Sequence, residues 1–400
     1  MVINGCYCSK NYSGGEALEK IKVLHILYEL YPSGAEVMLN SAFHMWDISC
    51  EMTILATGKE KGPYAETLEK TGYKVELVPT KSADKVGKIR HIIDFYKFMK
   101  KNKYDVVHIH RESLCDVYAA IAYKTGVRTI IRTVHNNFAF KGKLQKRKQQ
   151  ERKRMQDKYG VIFTAISDGV EANEKKTFNI SCDKKIYNWC DDRKYQLIPD
   201  ELRKNEKIKE HLEDKLVLIT TGNCYDVKNH KLLMYAISKM KYKEKIKYFH
   251  IGFKEGETQA EEALVKELHL DDIVIFAGFT EPESYMKKAD IFVMPSLFEG
   301  LSIAAVEALF TGMKLLLADT PGLVEFQNKG LDNISYFHID TQNPLSDENI
   351  KVLADKLDSL TLQWENGTIK TDRQQAEKAK ELYSVEVGTA AYLKLYQGER

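Results

Sequence analysis

The sequence predicts an α/β protein built around parallel sheets. Short runs rich in β-branched residues alternate with helix-length amphipathic segments along almost the whole chain of 400 residues. This alternation is typical of βαβ units, in which a crossover helix joins two parallel strands. Twelve strand-like runs are too many for one open sheet, and 400 residues exceed one typical core. We therefore expect two Rossmann-like domains that face each other across a cleft.

The strand-like runs divide evenly between the two halves of the chain. In the first half they are IKVLHILY, EMTILAT, YKVELVP, YDVVHIH, RTIIRTV and VIFTAIS. In the second half they are LVLITTG, IKYFHIG, DIVIFAG, ADIFVMP, MKLLLAD and ISYFHI. The pattern lapses between Tyr187 and Asn205, so we predict one domain over 1–192 and another over 193–381. A ligand is expected in the cleft between them, at the carboxyl ends of the strands.

The composition is that of an ordinary globular protein, with 44% apolar and 29% charged residues. The seven cysteines are scattered and form no CxxC pair, which favours a reducing cytoplasm over a disulfide framework. Cys6 and Cys8 raise the question of a metal, but no second Cys or His pair lies near them. The first twenty residues lack the apolar core of a signal peptide, and no run approaches the roughly 18 apolar residues of a spanning helix.

Positive charge is concentrated in the first half of the chain. Residues 1–200 contain 34 Lys and Arg against 24 Asp and Glu, whereas residues 201–400 contain 26 against 33. The segment from Lys141 to Lys158 alone holds nine Lys or Arg and two acids. As a helix it is predicted to lie on anionic lipid, through Lys146, Arg147, Arg152 and Arg154. A solvated helix is one alternative. Nucleic-acid binding is another, although no recognised binding motif accompanies the segment.

Two carboxylates bracket a short apolar segment, FEGLSIAAVEAL, at residues 298–309. Glu299 is predicted in the loop after a buried strand, and Glu307 in the following helix. Their separation along a helix is about 12 Å, the length of a nucleotide-sugar headgroup. The start of that helix offers free backbone N–H groups suited to a phosphate, and we assign to it Gly300, Leu301, Ser302 and Ile303. One carboxylate would bind sugar hydroxyls and the other a ribose, unless Glu307 is an exposed helix residue.

This segment resembles the E-x7-E motif of retaining glycosyltransferases of the GT-B fold, family 4. Four other stretches that resemble the family are YDVVHIH, RTVHNN, FTAIS and KKIYNWCDD. YPSGAE is similar to the family's first-loop Gly-Gly-x-E element, TTGNCYDVKNH to its donor loop, and ADTPGLVEF to its Gly-x-x-Glu segment. SVEVGTAAYLKLY resembles the C-terminal helix that crosses back, so residues 382–400 are expected on the first domain. In order and spacing the resemblance covers residues 21–397.

The resemblance implies roles for residues outside the motif. Gly34 would open a helix beside the donor diphosphate, and His135 would face the cleft and touch the donor sugar. Lys228 would neutralise diphosphate charge. The family usually carries an arginine after the donor-loop glycine, but here Gly222 is followed by Asn223. The leaving diphosphate therefore lacks one fixed cation unless another residue supplies it.

The motif carboxylates and two strand histidines complete the expected site. By resemblance, Glu299 would hydrogen-bond sugar hydroxyls and Glu307 would accept from the ribose. His108 and His110 stand on one predicted strand, and we expect only one of them to face the cleft and both to be structural.

The implied reaction is transfer of a glycosyl unit from a nucleotide diphosphate sugar to a hydroxyl, with the anomeric configuration retained. No Asp-x-Asp pair occurs, so we expect no metal at the diphosphate and no cofactor. The expected donor is a UDP-sugar and the expected acceptor a saccharide or lipid-linked saccharide of cell-surface polysaccharide assembly. The enzyme is then expected in the cytoplasm, at the inner face of the membrane. A same-fold sugar-nucleotide epimerase or hydrolase is one alternative, and a basic nucleic-acid-binding protein is another.

Overall fold

The computed structural model describes residues 19–80, 85–137, 139–327 and 329–399. Cys6 and Cys8, considered above as a metal pair, lie outside these residues. The described chain forms two parallel sheets with helices between the strands, as the sequence predicts. None of the described helices is both long and apolar enough to cross a membrane.

The first sheet has seven strands in the order β3-β2-β1-β4-β5-β6-β7. These strands are β1 (Ile21–Leu27), β2 (Cys50–Ala56), β3 (Lys74–Leu77), β4 (Val106–Ile109), β5 (Thr129–Val134), β6 (Ile162–Ala165) and β7 (Lys184–Lys185). The accompanying helices are α1 (Gly34–Trp46), α2 (Ala65–Thr71), α3 (Lys85–Asn102), α4 (Cys115–Lys124), α5 (Gly142–Tyr159) and α6 (Asp168–Asn173). A π-helical turn, Glu174–Phe178, extends α6.

The second sheet has six strands in the order β10-β9-β8-β11-β12-β13. Its strands are β8 (Leu216–Thr221), β9 (Ile246–Ile251), β10 (Val274–Gly278), β11 (Ile291–Met294), β12 (Lys314–Ala318) and β13 (Ile334–Phe337). Its helices are α7 (Asp200–Lys209), α8 (His230–Lys239), α9 (Glu257–Glu267), α10 (Pro282–Met286), α11 (Ile303–Phe310), α12 (Asp347–Glu365) and α13 (Arg373–Tyr383). The chain ends in α14 (Val385–Tyr396).

Each of the twelve strand-like runs contains a strand of the structure. The extra strand, β7, is two residues long and pairs with the end of β6. Both of its residues are exposed lysines, so it carries no hydrophobic pattern from which periodicity could find it.

The strand order of each sheet reverses at one point. In the first sheet β1 lies between β2 and β4, and in the second β8 lies between β9 and β11. Loops that follow the strands on either side of such a point diverge and leave a crevice at the carboxyl edge of the sheet. The loops after β8 and β11 contain the donor loop and the E-x7-E segment, so the two predicted donor elements are neighbours.

The C-terminal helix packs on the first sheet, which confirms the predicted crossing. While α13 packs against α11, α14 packs against α1. The indole Nε1 of Trp46 donates to the Thr389 carbonyl at 3.0 Å. The hydroxyl of Tyr392 lies 2.8 Å from Thr133 Oγ1, and the hydroxyl of Tyr396 lies 2.9 Å from Nδ1 of His108. The last helix therefore fastens the end of the chain onto the first sheet.

Candidate active site

The E-x7-E segment forms the predicted strand, loop and helix. Strand β11 ends at Met294, and α11 begins at Ile303 with Ser302 as its N-cap. The Ser302 hydroxyl accepts from the backbone N–H of Ala305 at 3.2 Å, which satisfies one of the unpaired donors of the first turn. Gly312 follows the helix with a φ of +73°, a left-handed conformation that glycine adopts without strain.

Glu299 and Lys228 form an ion pair at the carboxyl edge of the second sheet. Nζ of Lys228 lies 2.7 Å from Oε1 of Glu299. Both side chains remain partly accessible, with 22% of Lys228 and 12% of Glu299 exposed. The pair therefore places a cation and an anion side by side. A diphosphate could bind the lysine ammonium, and sugar hydroxyls could donate hydrogen bonds to the carboxylate.

Gly300 brings the second sheet's loop against the first sheet. A Cβ at this position would stand 2.2 Å from the carbonyl oxygen of His135, which follows β5. The Gly300 carbonyl also accepts from the Ser167 hydroxyl at 2.8 Å, and Ser167 follows β6. The motif loop therefore touches the ends of two strands of the first sheet, and only a glycine fits there.

Helices α1 and α11 meet at their N-terminal ends. A Cβ on Gly34, the first residue of α1, would lie 3.8 Å from Cγ1 of Ile303, the first residue of α11. Each helix start has backbone N–H groups without intrahelical partners and carries a positive partial charge. The two starts, with Lys228, make this end of the cleft favourable for an anion such as a diphosphate. Leu301 and Ser302, both buried, belong to the same loop.

The donor loop after β8 lies against the loop after β9. A Cβ on Gly252 would stand 2.0 Å from the carbonyl oxygen of Gly222, so the two loops are in close backbone contact. The Asn223 carboxamide oxygen lies 3.5 Å from the backbone nitrogen of Phe253. A further cation is present: Nζ of Lys254 sits 4.3 Å from the ring centroid of Tyr225. Lys254 is thus a candidate for the charge that the arginine would supply.

Glu307 lies within α11, and only 8% of its surface is exposed. Burial raises the pKa of its carboxyl to about 7, and the charge of Lys194 and a hydrogen bond from Tyr195 offset this only in part. A ribose that binds Glu307 must therefore enter beside Tyr195. Among the described contacts none joins Glu307 to the Lys228–Glu299 pair, and its ribose role stays a prediction.

His135 joins a chain of three imidazoles that runs from the cleft into the first sheet. Its Nε2 lies 2.9 Å from Nδ1 of His110, whose Nε2 lies 3.0 Å from Nδ1 of His25. Burial lowers the pKa of all three, that of His135 and His25 to about 3. The three linked imidazoles are therefore neutral at physiological pH. Each neutral ring has one N–H donor and one acceptor nitrogen.

We expected only one of His108 and His110 to face the cleft because both stand on one strand, and that reasoning was wrong. Residues two apart on a strand point to the same face, and the two ring centroids are 4.0 Å apart. Both rings are buried, as a structural role requires. His110 contacts His135, whereas His108 bonds to the hydroxyls of Tyr396 and Thr133.

The predicted membrane contact of Arg152 is also wrong, because its side chain is 2% exposed. Its Nε donates to Glu174 at 2.8 Å, its Nη2 donates to Glu112 at 3.1 Å, and its guanidinium lies 3.7 Å from the Phe178 ring centroid. Arg132 joins the same buried network through Glu112 at 2.8 Å.

The other three predicted membrane residues lie on the surface of α5. Lys146 and Arg147 are exposed, and Arg154 is half-exposed. Arg147 pairs with Glu151 at 2.7 Å, and Arg154 pairs with Asp116 at 2.6 Å. The surface of this helix therefore remains basic, although part of its charge is neutralised within the fold.

Glu325 joins the two halves of the chain and received no role from the sequence. Its carboxylate accepts from the backbone N–H of Asp168 at 3.0 Å and of Gly169 at 3.2 Å, the first residues of α6. Lys329 reaches Asp168 at 2.8 Å and Glu325 at 3.2 Å. The only sequence signal for this contact was the Gly-x-x-Glu segment, in which Glu325 is the acid.

Two clusters of metal-ligating side chains occur among the described residues. One comprises the first-sheet histidines His25, His108 and His110, and the other comprises Cys224, His230, His250 and Glu261 in the second sheet and its helices. Neither cluster was found from the sequence, because each is completed by residues from distant parts of the chain: His25 in the first, and His250 and Glu261 in the second.

Both halves of the chain are similar to known proteins. A family model described as "Glycosyl transferases group 1" matches residues 202–382, and one described as "Glycosyl transferase 4-like" matches residues 50–165. An Escherichia coli UDP-Gal:alpha-D-GlcNAc-diphosphoundecaprenol alpha-1,3-galactosyltransferase is 26% identical over 76% of this chain and 80% of its own length. The Staphylococcus aureus capsular polysaccharide biosynthesis glycosyltransferase CapH is 25% identical over 72% of this chain and 78% of its own.

Solved structures share the whole fold. HepE from Anabaena in complex with UDP has a TM-score of 0.76 at 15% identity, covering 94% of this chain and 100% of that one. A glycosyltransferase from Rickettsia africae has a TM-score of 0.77 at 17% identity, covering 95% and 98%. These structures share the two-sheet fold of this chain. The chain is a GT-B glycosyltransferase, as the sequence resemblance predicted.

Proposed function

We propose that the enzyme transfers a sugar from a UDP-sugar to a hydroxyl of a saccharide or lipid-linked saccharide, with retention of anomeric configuration. The observation that carries this proposal is the Lys228–Glu299 pair, at 2.7 Å, beside the meeting helix starts of α1 and α11. The names of the relatives support it: one acts on a diphosphoundecaprenol-linked sugar with UDP-Gal, and HepE was solved with UDP.

In this proposal, residues from both halves of the cleft bind the donor. Lys228 and the N–H groups at the start of α11 would hold the diphosphate, and Glu299 would accept hydrogen bonds from the donor sugar. Neutral His135 would contact the same sugar without introducing charge. Preorganised donors aimed at the leaving diphosphate stabilise the charge that develops on it.

Retention follows from a front-face displacement. A retaining hydrolase needs two carboxylates about 5 Å apart, one of them a nucleophile. Here Glu299 is paired with Lys228, and Glu307 is buried beside Tyr195, so neither is presented as that nucleophile. The bond from the anomeric carbon to the diphosphate oxygen breaks, the bond to the acceptor oxygen forms on the same face, and the acceptor proton passes to the leaving diphosphate.

A panel of UDP-, GDP- and ADP-sugars tests the donor. Only the bound nucleotide should raise the melting temperature, by mass action on the folded state. The stabilising donor is then incubated with and without a lipid-linked saccharide. Transfer to the saccharide supports the proposal, whereas consumption of the donor in water alone would favour a hydrolase. Stabilisation by no nucleotide would contradict the assigned site.

We further propose that the enzyme works in the cytoplasm, on the inner face of an anionic membrane. Helix α4 packs against both α3 and α5, so these three helices cover one face of the first sheet. Helix α3 carries six Lys or Arg against one acid, and α5 carries eight against two. Between the charges, α3 exposes apolar side chains at Val86, Ile89, Ile93 and Tyr96. A basic surface with exposed apolar residues is suited to anionic lipid.

Vesicle sedimentation tests the membrane surface. Changing Lys146, Arg147 and Arg154 to Gln should weaken sedimentation with anionic vesicles, and added salt should weaken it in the wild type. Arg152 is left intact, because removing it would unpair buried Glu174. The matched control changes three exposed lysines of the second half to Gln: Lys204, Lys239 and Lys266. Equal sedimentation of both triple variants and wild type would rule out α5 as the contact.

A further inference from the structure

Four buried side chains converge behind the donor loop, and we call them the Cys224 cluster: Cys224, His230, His250 and Glu261. Cys224 lies in the donor loop, His230 begins α8, His250 lies on β9 and Glu261 lies on α9. One ligand atom from each lies within 4.8 Å of every other. None of the four side chains is part of the Lys228–Glu299 pair.

The spacing of these atoms is that of a tetrahedral ligand set. Cys224 Sγ lies 3.3 Å from His250 Nε2, His230 Nδ1 lies 3.3 Å from Glu261 Oε1, and His250 Nε2 lies 4.0 Å from Glu261 Oε2. Ligands bound at about 2.0–2.3 Å around one tetrahedral ion stand roughly 3.3–3.7 Å from each other. Only small side-chain adjustments separate the observed positions from that arrangement.

Two atoms of the cluster have no hydrogen-bond partner among the residues that the structure describes. They are Nδ1 of His230, which is 1% exposed, and Oε2 of Glu261, which is 4% exposed. Although His230 Nδ1 is close to Glu261 Oε1, the two are not aligned as a hydrogen bond. Burying a polar atom without a partner is costly, and such atoms in a native fold call for an ion or a water.

We propose that the Cys224 cluster binds a structural zinc ion. A thiolate, a carboxylate and two neutral imidazoles carry two negative charges, so the complex with Zn²⁺ is neutral and can be buried. Cys224 releases its thiol proton to solvent when the ion binds. With four protein ligands the ion keeps no open position, as expected for a structural rather than a catalytic site.

The surroundings of the cluster orient its ligands. The Tyr248 hydroxyl lies 3.2 Å from Nδ1 of His250, and the Thr258 hydroxyl donates to Cys224 Sγ at 3.2 Å. In metal sites, groups that hydrogen-bond to the ligands fix the ring orientation and tune the basicity of those ligands. Both contacts leave His250 Nε2 and a sulfur lone pair directed at the other members.

The histidine cluster in the first sheet differs in this respect. His25 Nδ1 and His110 Nε2 bond to each other, and both ring nitrogens of His108 bond to hydroxyls. Within the described part of the chain, His25 Nε2 is the one ring nitrogen of this cluster without a partner. Five of the six ring nitrogens in this cluster already have hydrogen-bond partners, so the three rings do not present a free ligand set.

A zinc ion here would order the donor loop. Lys228 lies between Cys224 and His230 along the chain, so an ion that holds both ends would fix the backbone that carries the lysine. Zinc would thus act on donor binding through the position of Lys228, without touching the diphosphate.

Metal analysis of the full-length protein tests this site. Protein purified without chelator from zinc-supplemented cultures should contain one equivalent of zinc by mass spectrometry. Cys224→Ser and His250→Ala should each lower the bound zinc about tenfold or more. The matched control, Cys115→Ser, removes another buried cysteine outside the cluster and should keep the full equivalent. Zinc retained in both site variants would overturn the proposal.

Cobalt titration decides the question even where a variant fails to fold. Wild-type protein stripped of zinc and titrated with Co²⁺ should develop the visible bands of tetrahedral cobalt and a thiolate-to-cobalt charge-transfer band. Donor-free protein is used, so the result does not depend on the proposed glycosyl transfer. Absence of both bands in folded wild-type protein, together with no zinc as purified, would refute the site.

Discussion

Gly300→Ala is the most direct test of the closed cleft. The added Cβ would stand 2.2 Å from the His135 carbonyl oxygen and 3.2 Å from Cδ1 of Ile166. A carbon and an oxygen that are not bonded rarely approach closer than about 3.3 Å. The motif loop must therefore move away from the first sheet by about 1 Å. No left-handed backbone is required at Gly300, so the effect is steric and not conformational.

A displacement of this size should reduce turnover more than folding stability. Misplacing reacting groups by about 1 Å can lower the rate about 100-fold, because the barrier depends on their orientation. The two halves can separate to relieve the clash, so the melting temperature should change little. UDP should still bind, since Lys228 and α11 lie in the same half.

The assay compares steady-state transfer, UDP calorimetry and X-ray scattering for wild type and variant. Gly169→Ala is the matched control on the same interface, because its Cβ would meet no atom closer than 3.8 Å. Gly300→Ala should lose turnover and show a larger radius of gyration with donor bound, whereas the control should not. Wild-type turnover and scattering in Gly300→Ala would show that the loops do not meet in the working enzyme.

Four further predictions concern the donor half. Glu299→Ala should lower turnover more than UDP affinity, and Glu307→Ala should chiefly weaken UDP binding by calorimetry; unchanged UDP affinity in the latter would end its ribose role. Transfer should proceed in excess EDTA during an assay and keep the donor's configuration by NMR, so an inverted product or a loss restored by manganese would refute the mechanism. Asn223→Arg should change turnover and donor binding little if Lys254 supplies the missing charge, and a tenfold gain in either would disprove this compensation. Burial raises the pKa of Glu307 to about 7, so the folded protein holds a proton that the unfolded chain releases near pH 4.5. Stability should therefore fall as pH rises from 4.5 through 7, by up to about 3 kcal/mol, and Glu307→Gln should flatten that loss in urea titrations; an unchanged pH profile would argue against it.

Local pattern was sufficient for the order of strands and helices. The main strands are short runs rich in β-branched and other apolar residues, and the helices are longer amphipathic segments, so both can be recognised within a window of about ten residues. The same holds for the motif loop, because Glu299 follows a recognisable strand and Ser302 caps a recognisable helix. The strand β7 was not predicted, because its two exposed lysines have no such pattern.

The sequence by itself determined the class of fold, the crossing C-terminal helix and the loops that carry Glu299 and Lys228. Only the tertiary structure decided which side chains meet. In the sequence Arg152 is one cation of a basic segment. In the structure it is buried and forms ion pairs with Glu112 and Glu174 from other elements. Cys224 and Glu261 are likewise 37 residues apart and meet only because β8 and β9 are neighbours. Periodicity reports which face of an element is buried, whereas the partner on that face depends on strand order, which brings together residues that share no local pattern.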